Sequence, residues 1–187
     1  MGDGPGDRVV THWNLGPESG ELLLSTGVTG SASRMGHRLT IAMRSWHASV
    51  EWDGEVPSAV DMTVDLDSLD VLRGEGGMTP LTGAEKVLIR TNALKTLRAK
   101  KFPQARFRST SIERSGSGVR LRGVLELAGH SGEQTVEVEV SDDSVLGTAT
   151  VRHGDFGIKQ YSMLMGAMKV ADEVRVSLAA NVPHVGG

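Results

Sequence analysis

The chain has 187 residues, which fits one domain more easily than two. It contains no cysteine, so disulfides, thiol catalysis and cysteine-based zinc sites are excluded. The formal net charge of −3 argues against a nucleic-acid partner. An aromatic content of 4% predicts a core of aliphatic side chains and methionine.

The N-terminal segment differs in composition from the rest of the chain. It is rich in glycine and proline, so we expect a flexible arm over residues 1–20 and one domain over residues 21–182. The first residues, M-G-D-G-P-G-D-R, lack the basic and apolar regions of a signal peptide. The longest leucine run, residues 22–24, is far too short to span a membrane. We therefore expect a soluble, cytoplasmic protein.

Three stretches in the first half of the chain have the composition of strands. They cover residues 21–29, 38–52 and 59–67, and the third alternates cleanly between apolar and polar side chains. Within residues 38–52 the apolar positions change phase by one residue. This change predicts a β-bulge near Arg44 and Ser45.

A single stretch, which begins at residue 84, is predicted to form a helix. Thr82 or Gly83 can cap its start, Glu85 suits the positive end of the helix dipole, and Pro103 prevents continuation. The stripe that we predict to be buried falls at three- and four-residue steps and consists of Val87, Thr91, Leu94 and Leu97.

This helix and the residues after it are strongly basic. They hold eight of the chain's 20 Lys and Arg residues, namely Lys86, Arg90, Lys95, Arg98, Lys100, Lys101, Arg106 and Arg108. The cluster is typical of a solvated helix face. It also suits weak contact with an anionic membrane surface, or an interaction module that acts through the basic helix.

Five further strand-like stretches follow the helix and give eight in total. They cover residues 105–113, 118–127, 134–141, 145–153 and 173–180. Short connections between alternating strands are typical of antiparallel pairing. We predict an all-β fold, an eight-stranded antiparallel lipocalin-like barrel with one helical lid or crossover. A barrel of this size either packs its interior with side chains or holds one small ligand.

Four short motifs occur in a fixed order along residues 20–180. The matching positions are Gly36 and His37 before an early strand, Phe102, Pro103 and Phe107 after the helix, Gly123, Leu125, Leu127 and Gly129 in one strand, and the D-F-G-I stretch of residues 155–158. In this order they resemble the YceI-like family of lipocalin-like β-barrels. The resemblance implies binding of a polyisoprenoid or other lipid chain in a barrel cavity.

We accordingly predict a non-enzymatic binder or carrier of an apolar lipid or isoprenoid ligand, with no catalytic residue, metal or cofactor. The candidate ligand-binding residues come from alternating apolar faces or from the methionine-rich connection before the last strand, and are Ile41, Met43, Trp46, Phe107, Leu125, Phe156, Ile158, Leu164 and Met168. Methionine adapts to irregular gaps and chain-like ligands. The same faces would equally fill a dry core.

Two alternatives concern catalysis and assembly. The pair His153 and Asp155 could perform acid–base chemistry at the barrel mouth, so an enzyme acting on a small molecule is an alternative function. The sequence does not define the oligomeric state, and a homodimer is one of the options.

Overall fold

The computed structural model describes residues 10–183, which form one curled antiparallel sheet with a single α-helix, α1 (Gly83–Thr96). The strands are β1 (Val10–Leu15), β2 (Gly20–Thr29), β3 (His37–Met43), β4 (Trp46–Asp53), β5 (Val56–Asp65), β6 (Leu69–Gly76), β7 (Gln104–Ser115), β8 (Gly118–Leu127), β9 (His130–Val140), β10 (Ser144–Arg152), β11 (Ser162–Met163) and β12 (Met168–Asn181). Their order in the sheet is β1-β4-β5-β7-β8-β9-β10-β12-β2-β3-β6, and β11 pairs with β12. The all-β, antiparallel character with one helix is as predicted.

The strands follow from the alternation of side chains. In β8 the side chain of Leu121 is buried, whereas those of Arg122, Val124 and Glu126 are exposed to solvent. Each neighbour of β8 continues this division, because Phe107 in β7 lies opposite Leu125. One face of the curled sheet therefore collects aliphatic side chains, and the other collects charged ones.

The prediction of eight strands is wrong, since residues 10–183 form twelve. The stretch predicted over residues 38–52 is divided into β3 and β4 at Arg44 and Ser45, where the apolar phase changes. A 3-10 turn over Leu66–Ser68 separates β5 from β6, which lies between the predicted strand over residues 59–67 and the predicted helix, where no strand was predicted. Strand β1 lies within the predicted N-terminal arm, and β11 lies in the methionine-rich connection.

The predicted closed barrel is a curled, open sheet in the described residues, because β1 and β6 at the ends of the strand order do not pair with each other. Two corners of the chain cross between the two end regions of this sheet. β4 follows β3 around one corner, and β6 follows β5 around the other. Two backbone hydrogen bonds connect the corners. Arg44 N donates to Ser68 O at 3.2 Å, and Asp65 N donates to Ser45 O at 3.0 Å. The Asp65 carboxylate also accepts hydrogen bonds from Ser45 Oγ at 2.6 Å and Gln104 Nε2 at 2.9 Å, which lower the pKa of Asp65.

Helix α1 begins with the predicted cap. Thr82 Oγ1 accepts from Glu85 N at 3.2 Å, and the Glu85 carboxylate accepts from Thr82 N at 2.6 Å, which forms a capping box. The bond from the Thr82 backbone lowers the pKa of Glu85. No helix among the described residues is long and apolar enough to cross a membrane.

The predicted buried stripe of α1 is wrong at two of its four residues. Val87 is 67% exposed and Thr91 is also exposed, whereas Ile89, Ala93 and Leu97 pack against the core. The cause is the consecutive apolar run V-L-I at residues 87–89, which is compatible with more than one buried face. Leu94 and Leu97 do belong to the packed face.

Candidate ligand-binding cavity

The curled sheet encloses a cavity of about 720 Å³. This volume lies in the range that small-molecule and cofactor sites occupy. Its wall is built from the inward side chains of most strands, such as Leu22 and Leu24 of β2, and from one face of α1. Because the strands alternate, each contributes every second side chain to the wall, and these side chains are mainly aliphatic.

Six of the nine predicted ligand-binding residues line this cavity. They are Ile41, Met43, Phe107, Leu125, Ile158 and Met168. Five of them have a signal in the sequence, because they either occupy alternating apolar positions or lie in the D-F-G-I stretch. Met168, at the start of β12, reaches the wall from the methionine-rich connection.

The other three residues lie elsewhere. Trp46 is buried in the main core cluster at the start of β4, just after the corner, and does not line the cavity. Phe156 is completely enclosed in a second cluster with Ala128 and Ile158. Leu164 is 50% exposed, because its backbone is left-handed with φ of 51° and turns the side chain outward.

Several lining residues were not among the predicted ones. Ile89 and Ala93 of α1 form part of the wall, and their contribution was hidden by the ambiguous phase of the helix. Trp13 of β1 also lines the cavity, with its ring centroid 4.5 Å from that of Trp52. The alternation T-H-W-N-L at residues 11–15 is the signal that could have identified this strand.

Three of the polar side chains that line the cavity are held by backbone carbonyls. A ring nitrogen of His37 lies 2.6 Å from Thr79 O, and His153 Nδ1 lies 2.7 Å from Asp172 O. Gln134 Nε2 donates to Thr150 O at 2.9 Å. These bonds satisfy the polar atoms locally, so the wall presents mainly hydrocarbon to a guest.

The pair proposed for acid–base chemistry does not come together as a pair. His153 is bonded to the carbonyl oxygen of Asp172, and the carboxylate of Asp172 accepts from Gly154 N at 2.9 Å. Asp155 lies exposed in the same 3-10 turn. Within residues 10–183, no group of three or more His, Asp or Glu residues is arranged to hold a metal ion.

The cavity opens to solvent beside the start of α1. Five of its large apolar or aromatic lining side chains are more than a third exposed there, namely Met35, Met78, Leu88, Tyr161 and Met163. Asn92 Nδ2 of the helix donates to Tyr161 Oη at 3.0 Å and links two sides of the opening.

Comparison with known proteins agrees with this architecture. The YceI-like domain model matches residues 13–182. The crystal structure of Burkholderia cenocepacia BcnA has a TM-score of 0.67 and 18% sequence identity, and the alignment covers 88% of this chain and 96% of that chain. The Campylobacter jejuni YCEI protein has a TM-score of 0.53 and 14% identity, with 77% and 85% covered. No curated protein matches the sequence.

Proposed function

This chain belongs to the YceI-like domain family, and we propose that it binds and carries an apolar chain, such as a polyisoprenoid, in the cavity of its curled sheet. Domains of this family generally have a fold that binds lipid or polyisoprenoid chains. The observation that carries the proposal is the continuous apolar wall around about 720 Å³. The six predicted residues on that wall, together with Ile89 and Ala93, are the proposed contact residues.

The physical basis of binding is the removal of hydrocarbon from water. Each buried CH₂ group contributes roughly 0.8 kcal/mol, and a factor of ten in affinity corresponds to about 1.4 kcal/mol. An additional isoprene unit that enters the cavity should therefore raise affinity about tenfold or more. This gain ends when the cavity is full, because further units stay in water.

The geometry supports a carrier better than an enzyme. The histidine side chains on the wall, His37 and His153, are bonded to backbone carbonyls, and the rest of the wall is mostly hydrocarbon. A general base must lie within hydrogen-bond reach of the proton that it abstracts. The Nδ1 atom of His153 is already bonded to the carbonyl oxygen of Asp172, and the side chain of Asp155 is exposed to solvent.

The basic segment around α1 supports a membrane or partner interaction less well than its sequence suggested. Arg90 Nη2 lies 3.1 Å from the Asp67 carboxylate, while Arg106 and Arg108 lie 3.0 and 3.4 Å from that of Asp61. Three of the eight basic residues are thus partly neutralised. Arg90 also donates to the carbonyl oxygen of Leu69 and so fastens the helix to β6.

The test is a chain-length series. Purified protein would be titrated with geraniol, farnesol and geranylgeraniol, and we expect dissociation constants to fall steeply along the series. Gly147→Leu places a side chain in the cavity and should weaken the longest ligand most. Leu146→Ala is the matched control, since Leu146 is 47% exposed on the outer face of the same strand. Affinities that do not depend on chain length, or an equal effect of both variants, would contradict the carrier proposal.

A further inference from the structure

The opening of the cavity is surrounded by exposed apolar side chains, which we call the mouth rim. The mouth rim consists of Met35, Met78, Leu88 and Met163, which line the cavity, and of the exposed Leu164 and Met165, which follow Met163 along the chain. We propose that the mouth rim docks on an anionic phospholipid bilayer, and that the cavity exchanges its apolar chain there. The exchange step rests on the proposed carrier function, whereas the docking step does not.

The rim residues come from four segments that meet around one opening. The segment with Met35 is tied to the segment with Met165 by a hydrogen bond from Ala32 N to Ala167 O at 2.8 Å. The segment with Met78 is tied to β3 by the His37–Thr79 contact at 2.6 Å. Leu88 lies one helical turn from Asn92, which bonds Tyr161. These contacts make the rim one surface.

The rim is far more exposed than apolar side chains of this size usually are. Met78 is 82% exposed and Met165 is fully exposed, while the other four rim residues are each about half exposed or more. Leu164 and Met165 both have left-handed backbones, with φ of 51° and 56°, which turn their side chains into solvent. Contiguous exposed apolar surface of this kind marks an interaction site.

The charge around the rim selects an anionic partner. The segments over residues 31–38, 75–88 and 157–170 hold five basic residues, Arg34, Arg38, Lys86, Lys159 and Lys169, and two acidic ones, Glu75 and Glu85. Both carboxylates already have partners, because Glu75 lies 3.8 Å from Arg73 and Glu85 caps the helix. The rim segments are thus net positive in a chain of net charge −3.

Exposed apolar side chains with basic residues around them are features that bind a protein to an anionic bilayer surface. The apolar side chains enter the boundary between headgroups and acyl chains, and the cations are attracted by anionic headgroups. Such docking would also keep the apolar chain out of water while it moves between the cavity and the bilayer. A chain that left the cavity through water would expose its hydrocarbon, whereas a docked rim offers a continuous apolar path from cavity to bilayer.

The experiment measures flotation of ligand-free protein with phosphatidylcholine vesicles, with and without phosphatidylglycerol. We expect binding to the anionic vesicles, weaker binding at high salt, and little binding to phosphatidylcholine alone. The triple variant Met78→Ser, Met163→Ser and Met165→Ser should bind at least tenfold more weakly. The matched control is Val56→Ser, Val124→Ser and Leu146→Ser, which removes three exposed apolar side chains outside the rim and should bind like the parent.

The other outcomes contradict either rim docking or the carrier function. Equal vesicle binding by the parent and the rim variant, or no binding by the parent, would overturn rim docking. Loss of binding in Lys95→Glu with Arg98→Glu, without loss in the rim variant, would overturn it in favour of the basic helix. Isoprenoid binding in solution is measured separately. A protein that binds isoprenoid but not vesicles contradicts only the rim, and the reverse result contradicts only the carrier function.

Discussion

Two phenylalanine side chains show how differently this fold treats the same residue. Phe107 of β7 borders the cavity, whereas Phe156, the last residue of a 3-10 turn, is completely enclosed with Ala128 and Ile158. At Phe156 a turn folds back against the sheet, and Gly132 lies close enough that an added Cβ would approach the Phe156 ring to 3.1 Å. Phe107 instead borders the cavity that the curled sheet and α1 enclose. Packing is complete where a turn covers the sheet, and a hollow remains where the sheet faces itself.

The largest expected effect is a difference in stability between alanine variants of these two phenylalanines. Phe156→Ala should lower the free energy of unfolding by about 3–5 kcal/mol, because it leaves a cavity in a filled cluster. Phe107→Ala should cost less, since one side of that ring borders empty space and has fewer packing partners to lose. Urea unfolding of both variants makes the comparison. Equal losses would mean that the centre is packed as tightly as the cluster.

Two glycines provide a second comparison, between a position that other atoms cover and a position that borders the cavity. A Cβ at Gly123 would clash with the carbonyl oxygen of Arg108 and lie 2.7 Å from the Phe107 ring. Gly123→Leu should therefore destabilise the protein by about 1–3 kcal/mol through overpacking. At Gly147 the nearest atom to an added Cβ is Leu178 Cβ at 3.7 Å, which is ordinary contact. Thermal unfolding should show Gly147→Leu close to the parent, and a reversed order would contradict the assigned cavity wall.

Helix α1, the lid that lines one side of the cavity, is expected to respond less strongly than the packed cluster, because it has no fully buried residue. Thr82→Ala removes the side-chain half of the capping box and should cost about 1 kcal/mol. Hydrogen exchange should show the loss mainly in the first turns of α1. Thr82→Ser keeps the hydroxyl and serves as the control. Uniform loss of protection across the sheet would show that the lid and the sheet unfold as one unit.

The smallest effect concerns pH at the corners. Hydrogen bonds from Ser45 and Gln104 lower the pKa of Asp65, so they stabilise the folded chain above the unfolded-state value of about 3.9. This stability is lost as pH falls through the lower folded value. Ser45→Ala should therefore destabilise the protein slightly near pH 6, and the difference from the parent should shrink towards pH 3. Unfolding measured at several pH values gives the answer, and a constant difference would assign the loss to packing.

The strands and the helix cap could be predicted because local chemistry determines them. Alternation along β8 and the Thr82–Glu85 box each involve neighbours in the sequence. Strand β6 was not predicted because its glycine-rich end resembles a flexible connection. Gly74 there lies under Leu81, where an added Cβ would come within 2.7 Å of the leucine side chain, and such a contact has no signal in the sequence.

The cavity could be predicted only in part, for a related reason. Alternation tells which side chains face inward, and this was enough to identify Ile41, Met43 and Leu125. It does not tell how far away the opposite wall lies, so it could not distinguish the hollow from a filled core. It also could not place Phe156 and Leu164, whose positions depend on a turn that folds over the sheet and on a left-handed backbone.

The pairing of β2 with β12 has a consequence for how the chain folds. It places Gly20 opposite Ala180 and Thr29 opposite Lys169, so it joins one of the earliest strands to the last one. Contacts of such long sequence separation form slowly, because the entropy of closing the loop must be overcome before the pairing stabilises it. A growing chain on the ribosome has no complete cavity until β12 has emerged. Under the proposed function, an apolar guest would therefore be held only after β12 has paired with β2.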